Sequence, residues 1–285
     1  VKLKFISITP LATPVCYNKH HFPNILLYNC VSSLIVALLF LVTGCKKDIY
    51  TQPINNDEAV SKTSSSTQET TTLQSNVFYF GDSITSGVTS VNGTGTVTDK
   101  NWAALLSADM GWTCHNLGIP GTTMVKSVNG NIEANSMYSR AEKEIPQKRA
   151  KDKYLFFAYG INDVLKNYDD VSTAQFKEDY QYVLNVAFAR GWKPQDIVLL
   201  NGYYCLISGY AIYNIAPFAD RNRHMAFNSA IKTVADSNKT RFIDIYGYMQ
   251  NNGGDTLLIF DGIHPTLTGY NVIAQGVKKV INSFQ

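Results

Sequence analysis

From residue 76 onward the chain alternates short apolar, β-prone runs with stretches of helical period, and this alternation narrows the fold more than any other feature. The strand candidates are Val77-Phe80, Trp112-Leu117, Tyr154-Tyr159, Asp196-Asn201 and Arg241-Ile245. Helical patterns separate or follow them at Trp102-Met110, Ser136-Arg149, Thr173-Arg190, Arg223-Ser237 and Leu267-Ile281. Strands joined through helices run parallel, and a parallel sheet is stable only with both faces covered. The pattern therefore predicts a three-layer α/β/α sandwich around a five-stranded parallel sheet, as one domain over residues 76–285. No internal repeat is present.

Residues 1–75 have a different character. Positions 1–45 contain Lys2, Lys4 and Lys19 and no acid, and an apolar run from Val31 to Val42 ends in Thr43-Gly44-Cys45. A basic start, a short apolar core and small residues before a cut describe a secretory signal. Small residues directly before Cys resemble the lipobox of bacterial lipoproteins, which implies lipidation of Cys45 and an exported, lipid-anchored protein of the bacterial cell envelope. Ile25 to Gly44 is also about the length that spans a bilayer, but Asn29, Ser32 and Ser33 interrupt it, and the lipoprotein is preferred. Residues 46–75 are rich in Ser, Thr, Gln and Asn, a composition that buries too little apolar surface to offset its ordering entropy. They read as a flexible tether between Cys45 and the domain.

Composition excludes some partners. The whole chain carries 25 Lys+Arg against 22 Asp+Glu. Without the three leader lysines the balance is even, so nothing points to nucleic acid. Cys16, Cys30, Cys45, Cys114 and Cys205 form no metal-ligand spacing, and neither a metal nor another cofactor is expected. Cys114 and Cys205, beside strands, read as reduced thiols that behave as small hydrophobes.

In an open parallel sheet the carboxyl ends of the strands lie along one edge, where such folds bind their ligands. The first strand stops at Gly81-Asp82-Ser83, the second leads into Asn116-Leu117-Gly118, and the third into Gly160-Ile161-Asn162-Asp163. Before the last helix stands Asp261-Gly262-Ile263-His264. Each has a plainer use: Asp82, Ser83, Asn162 and Asp163 are common helix caps, Gly118 suits a turn, and His264 precedes a proline. Together they supply a nucleophile, a base with an acid to orient it, and two donors for a developing negative charge.

These four segments, in this order, resemble those of the SGNH or GDSL-type serine esterases and lipases, and the resemblance runs from about Val77 to Val280. It implies a flavodoxin-like sandwich and a catalytic set of Ser83, Asp261 and His264. It also implies an oxyanion hole made by the backbone N–H groups of Ser83 and Gly118 and the Asn162 amide. Asp163 is expected to cap a helix or brace a loop, and His115 and His224 to be structural. The loop Tyr203 to Asn214 is rich in tyrosines, which either contact a sugar or acyl group or pack over the sheet; Asp220-Arg221-Asn222-Arg223 reads as a solvated helix start rather than an anion clamp. The expected substrate is a short-chain, acetyl ester of a carbohydrate. Lysophospholipase or lipase activity on longer acyl chains is the alternative within the same chemistry, and a non-catalytic glycan-binding module is the alternative outside it.

Overall fold

A computed structural model describes residues 74–165, 171–206 and 220–284. The leader 1–45, with Cys45, and all but the last two residues of the tether 46–75 lie outside the described residues.

Five parallel strands form the central sheet: β1 (Asn76–Gly81), β2 (Thr113–Asn116), β3 (Asp152–Ala158), β4 (Ile197–Leu200) and β5 (Arg241–Ile243). Their spatial order is β2-β1-β3-β4-β5, the flavodoxin-like arrangement. The chain leaves β1 toward one edge, then crosses back over it to build the other side. Right-handed crossovers therefore send the connecting helices to opposite faces. On one face α2 (Trp102–Met110) packs against α8 (Leu267–Asn282), and α8 against α7 (Ile245–Asn251). On the other, α3 (Met137–Glu144) packs against α5 (Thr173–Ala189), and α5 against α6 (Arg221–Asn238).

The side chains of β1 show why the sheet must be covered twice. Tyr79 meets Trp102 of α2 edge-on at 5.2 Å and stacks on Phe156 at 4.9 Å. One residue later, Phe80 points the other way, stacking on Phe157 at 5.6 Å with the Arg140 guanidinium of α3 over its ring. All these rings are buried, and truncating one such aromatic costs roughly 3–5 kcal/mol.

The elements end where local chemistry stops them. The stretch expected to be helical from Ser136 to Arg149 is helical only from Met137 to Glu144. Pro146 disfavours helical geometry at the residue before it, and Ile145 is accordingly extended. The β5 run stops at Ile243 rather than Ile245 because Asp244 accepts the Gly247 N–H and starts α7. Two hairpins, Val88–Val91 with Thr94–Val97 and Ser127–Val128 with Asn131–Ile132, lie outside the sheet. Each turns at Asn-Gly with both residues at positive φ, as a type I′ turn requires.

Candidate active site

β1 and β3 are neighbours in the sheet, yet the chain leaves them toward different elements, so their carboxyl ends open a crevice. Ser83 stands at its β1 side as the first residue of a single helical turn, α1 (Ser83–Ser86). Asp82 caps that turn through a 2.9 Å bond from the Ile84 N–H to its Oδ1. The cap and the nucleophile candidate are adjacent residues with separate tasks. As the first residue of a helix, Ser83 has a backbone N–H with no acceptor inside the helix.

Asp82 is fully buried, and its Oδ2 has no hydrogen-bond partner. Burial pushes its carboxyl up to about 7, against the Ile84 bond and the nearby His264 ring, which favour the charged form.

His264 and Asp261 lie beyond the last strand, on a turn between a 3-10 segment (Gly254–Leu257) and α8. The turn is fastened from several sides. Leu206 N–H donates to Gly262 O at 2.8 Å, Ile259 N–H to His264 O at 2.8 Å, and the Thr89 hydroxyl of the first hairpin to Pro265 O at 2.7 Å. These ties bring the His264 Nε2 to 2.8 Å from Ser83 Oγ, while Nδ1 lies 2.6 Å from Asp261 Oδ2. Asp261 Oδ1 accepts the N–H groups of Ile263 and His264 at 2.8 and 2.9 Å. Burial pushes the Asp261 carboxyl up, but the bonds from the His264 ring and the two N–H groups outweigh it and hold the carboxyl below its ordinary value.

Gly118 follows β2 and rests against the backbone of α1. A Cβ there would come within 2.6 Å of Ser86 N and 3.0 Å of Asp82 O, so only glycine permits the approach. Its N–H donates to Asn116 Oδ1 at 3.0 Å, an Asx turn; the expected open donor is held by its own loop in this state. The Asn116 amide in turn binds Thr85 O at 2.7 Å. Gly160, at φ 125°, makes the bend after β3 that leads into the short helix α4 (Ile161–Leu165). Asn162 lies in its first turn and donates from Nδ2 to Thr122 O at 3.0 Å. Asp163 is buried and accepts the N–H groups of Met124 and Val125, bracing a loop as expected.

Of the remaining candidates, His115 stacks on Phe78 at 4.6 Å. His224 is buried, and desolvation, with the Arg221 charge nearby, lowers its pKa to about 3. Tyr203 and Tyr204 follow the packing alternative: both are buried, with hydroxyls on Thr85 and Asp255. Tyr210 and Tyr213 lie outside the described residues. Asp220 caps α6 at Arg223 N–H, but the arginines are engaged rather than solvated: Arg221 bonds the Tyr246 hydroxyl and Arg223 the Asp163 and Val171 carbonyls. Among the described residues no three of His, Cys, Asp and Glu come together as metal ligands do, and no helix is long and apolar enough to cross a membrane.

Two residues at the site have no motif to mark them, Thr89 and Arg140; Asn116 belongs to a motif segment, but its hold on the Gly118 N–H and on Thr85 O is not part of that motif. Asn116 has a local signal, since an Asn two residues before a Gly is a common Asx turn.

Residues 79–272 match the model of the GDSL-like lipase/acylhydrolase family. No curated protein matches the chain by sequence. Among solved structures, a lipase/acylhydrolase from Enterococcus faecalis is 20% identical with a TM-score of 0.57, the match covering 74% of this chain and 96% of that one. An aryl esterase from M. smegmatis is 13% identical with a TM-score of 0.58, over 74% and 100%. The acetylxylan esterase Axe2 from Geobacillus stearothermophilus is 20% identical with a TM-score of 0.51, over 73% and 94%. At these identities what is shared is the fold.

Proposed function

We infer, for a chain that belongs to the GDSL-like lipase/acylhydrolase family and is therefore a carboxylic ester hydrolase, that Ser83 is its nucleophile. The observation that carries this is the continuous relay from Ser83 Oγ through both ring nitrogens of His264 to Asp261, at 2.8 and 2.6 Å. His264 Nε2 takes the Ser83 proton as Oγ attacks the ester carbonyl, and Asp261 holds the ring and favours its charged form. The proton then passes to the leaving alcohol. Water, activated by the same nitrogen, hydrolyses the acyl-Ser83 ester and regenerates the enzyme.

The negative charge on the tetrahedral oxygen is met by the Ser83 and Gly118 N–H groups and the Asn162 amide. In the resting state Asn116 Oδ1 holds the Gly118 N–H, which pre-sets that peptide and is weakened or released as the oxyanion forms. Ser83→Ala is expected to abolish aryl-ester hydrolysis and labelling by a fluorophosphonate. A variant that retains either would overturn the assignment.

The preferred substrate class is a short-chain, acetyl ester of a carbohydrate. Phe260, 80% exposed and directly before Asp261, offers an aromatic face beside the site on which a sugar ring can stack, and the acetylxylan esterase fold is of the same kind. Rates on acetylated sugars and on aryl esters of graded acyl length test this; preference for long chains would favour the lipase alternative. The leader supports export and a lipid anchor on Cys45 in a bacterial envelope, with residues 46–75 as tether. Cys45→Ala should release the protein from the membrane fraction, and retention there would favour a spanning segment.

A further inference from the structure

We propose that Arg140 is a positioning residue for the ester hydrolysis, one that aims the oxyanion donors from behind without touching substrate. It rests on the reading of Gly118 and Asn162 as those donors.

Arg140 is 5% exposed, on α3, whose first N–H groups also bond the Thr123 and Met124 carbonyls. Its Nη2 donates to Leu117 O at 2.9 Å. That carbonyl belongs to the same peptide unit as the Gly118 N–H. In a trans peptide the C=O and N–H point in opposite directions, so an arginine that holds the oxygen fixes the opposite direction of the N–H, which at rest donates to Asn116 Oδ1. A charged donor on the carbonyl also polarises the unit and strengthens its N–H as a donor. The other arm of the fork, Nη1, donates to the Tyr159 hydroxyl at 3.3 Å, which lies beside Thr122. Thr122 O is the acceptor that holds the Asn162 amide. One guanidinium thus holds the Leu117–Gly118 peptide directly at the start of the loop 117–122, and through the Tyr159 hydroxyl it lies near Thr122 at the loop's other end, whose carbonyl anchors the Asn162 amide. Glu144 Oε2 accepts from Nε and Nη2 at 3.0 and 2.7 Å and balances the charge.

A purely structural arginine would offer these bonds to any carbonyl that needed one. Here the carbonyl is that of the donor peptide, and the geometry makes a kinetic demand that packing alone does not. Loss of one oxyanion donor costs about 10²- to 10³-fold in rate, and a donor left in place but misaimed should cost somewhat less.

The test is steady-state kinetics on an acetyl aryl ester with the full-length chain, thermal melts confirming the fold of each variant. Arg140→Met is expected to lower kcat by about 30- to 100-fold with KM within about threefold. Arg140→Lys keeps the charge, but a point donor cannot tie both arms; it should lose about tenfold in kcat, and it decides the question if Arg140→Met fails to fold. Guanidinium added to Arg140→Ala should recover part of the lost kcat. A folded Arg140→Met or Arg140→Lys enzyme with wild-type kcat, or a loss confined to KM, overturns the proposal. Ser83→Ala and Asn162→Ala run alongside: activity surviving there sinks the assignment of the site itself, whereas loss there beside unimpaired Arg140 variants sinks only the role of Arg140.

Discussion

Two histidines in this domain are almost equally buried, His264 at 8% and His224 at 0% exposure, and each has a potential nucleophile at hand. Ser83 Oγ lies 2.8 Å from one and Cys205 Sγ 3.8 Å from the other. What separates them is the group behind the ring. His264 has the Asp261 carboxylate at 2.6 Å, which holds the ring with Nε2 toward Ser83 and can balance the positive charge that forms during the reaction. His224 has burial and then the positive charge of Arg221, which together hold it neutral, its pKa lowered to about 3. A histidine beside a nucleophile is a base only where the surroundings accept the charge it takes on.

The sharpest way to break this comparison is to remove the carboxylate. Asp261→Asn leaves the shape of the turn and should cut kcat by about 10⁴-fold, because the ring loses both its tautomer and the stabilisation of its charged form. A loss below about tenfold would mean that His264 needs no acid and differs from His224 only in position.

The next largest effect is on stability. His224 has its folded pKa below the unfolded value of 6.5, so the stability tied to its neutrality is present above that pH and is lost as pH falls toward about 3. Asp82 is the reverse case. Its folded pKa is raised from 3.8 to about 7, so its contribution is complete below pH 3.8 and is lost as pH rises to about 7. Each shift corresponds to about 4–5 kcal/mol, and over roughly pH 4–6.5 the two oppose each other. Asp82→Asn should therefore fall in stability toward acid more steeply than the wild type, and His224→Gln more steeply toward neutral pH. Urea midpoints across this window check it, and parallel profiles for all three proteins would refute the assignment of these shifts.

Across the crevice, Asn162→Ala should lower kcat by about 10²- to 10³-fold with a smaller change in KM. An effect on KM alone would make Asn162 a substrate contact instead of an oxyanion donor. The smallest effect is expected at the other histidine: Cys205→Ala should leave kcat within about twofold, since burial and the Arg221 charge disfavour a proton on the His224 ring. A large loss there would make the second pair functional.

Much of this architecture is legible in the amino-acid sequence. The strand runs, the helices and the four segments at Ser83, Gly118, Asn162 and Asp261-x-x-His264 are readable because each depends on local chemistry: apolar period, a glycine at a close approach, an acid three residues from its histidine. The Asn-Gly turns at 92–93 and 129–130 carry an equally local signal for the two hairpins. Arg140 carries none. In sequence it is one more charged residue on an amphipathic helix, and what gives it a role is the Leu117 carbonyl, 23 residues away and on another element. Thr89, whose hydroxyl fastens Pro265 across 176 positions, is the same kind of case.

By itself, then, the sequence determined the layered parallel fold, the edge along which the four motif segments fall, and which side chains are the candidates for nucleophile, base and acid. The tertiary structure alone decided that Asp82 caps while Ser83 points at His264, that the Gly118 N–H is held by Asn116, that Tyr203 and Tyr204 pack inward, and that Arg140 lies beneath the donor peptide. The division has a physical cause. Backbone propensity and apolar period act over neighbours in the chain, whereas burial, charge environment and hydrogen-bond partner are properties of groups that meet only after the layers have closed.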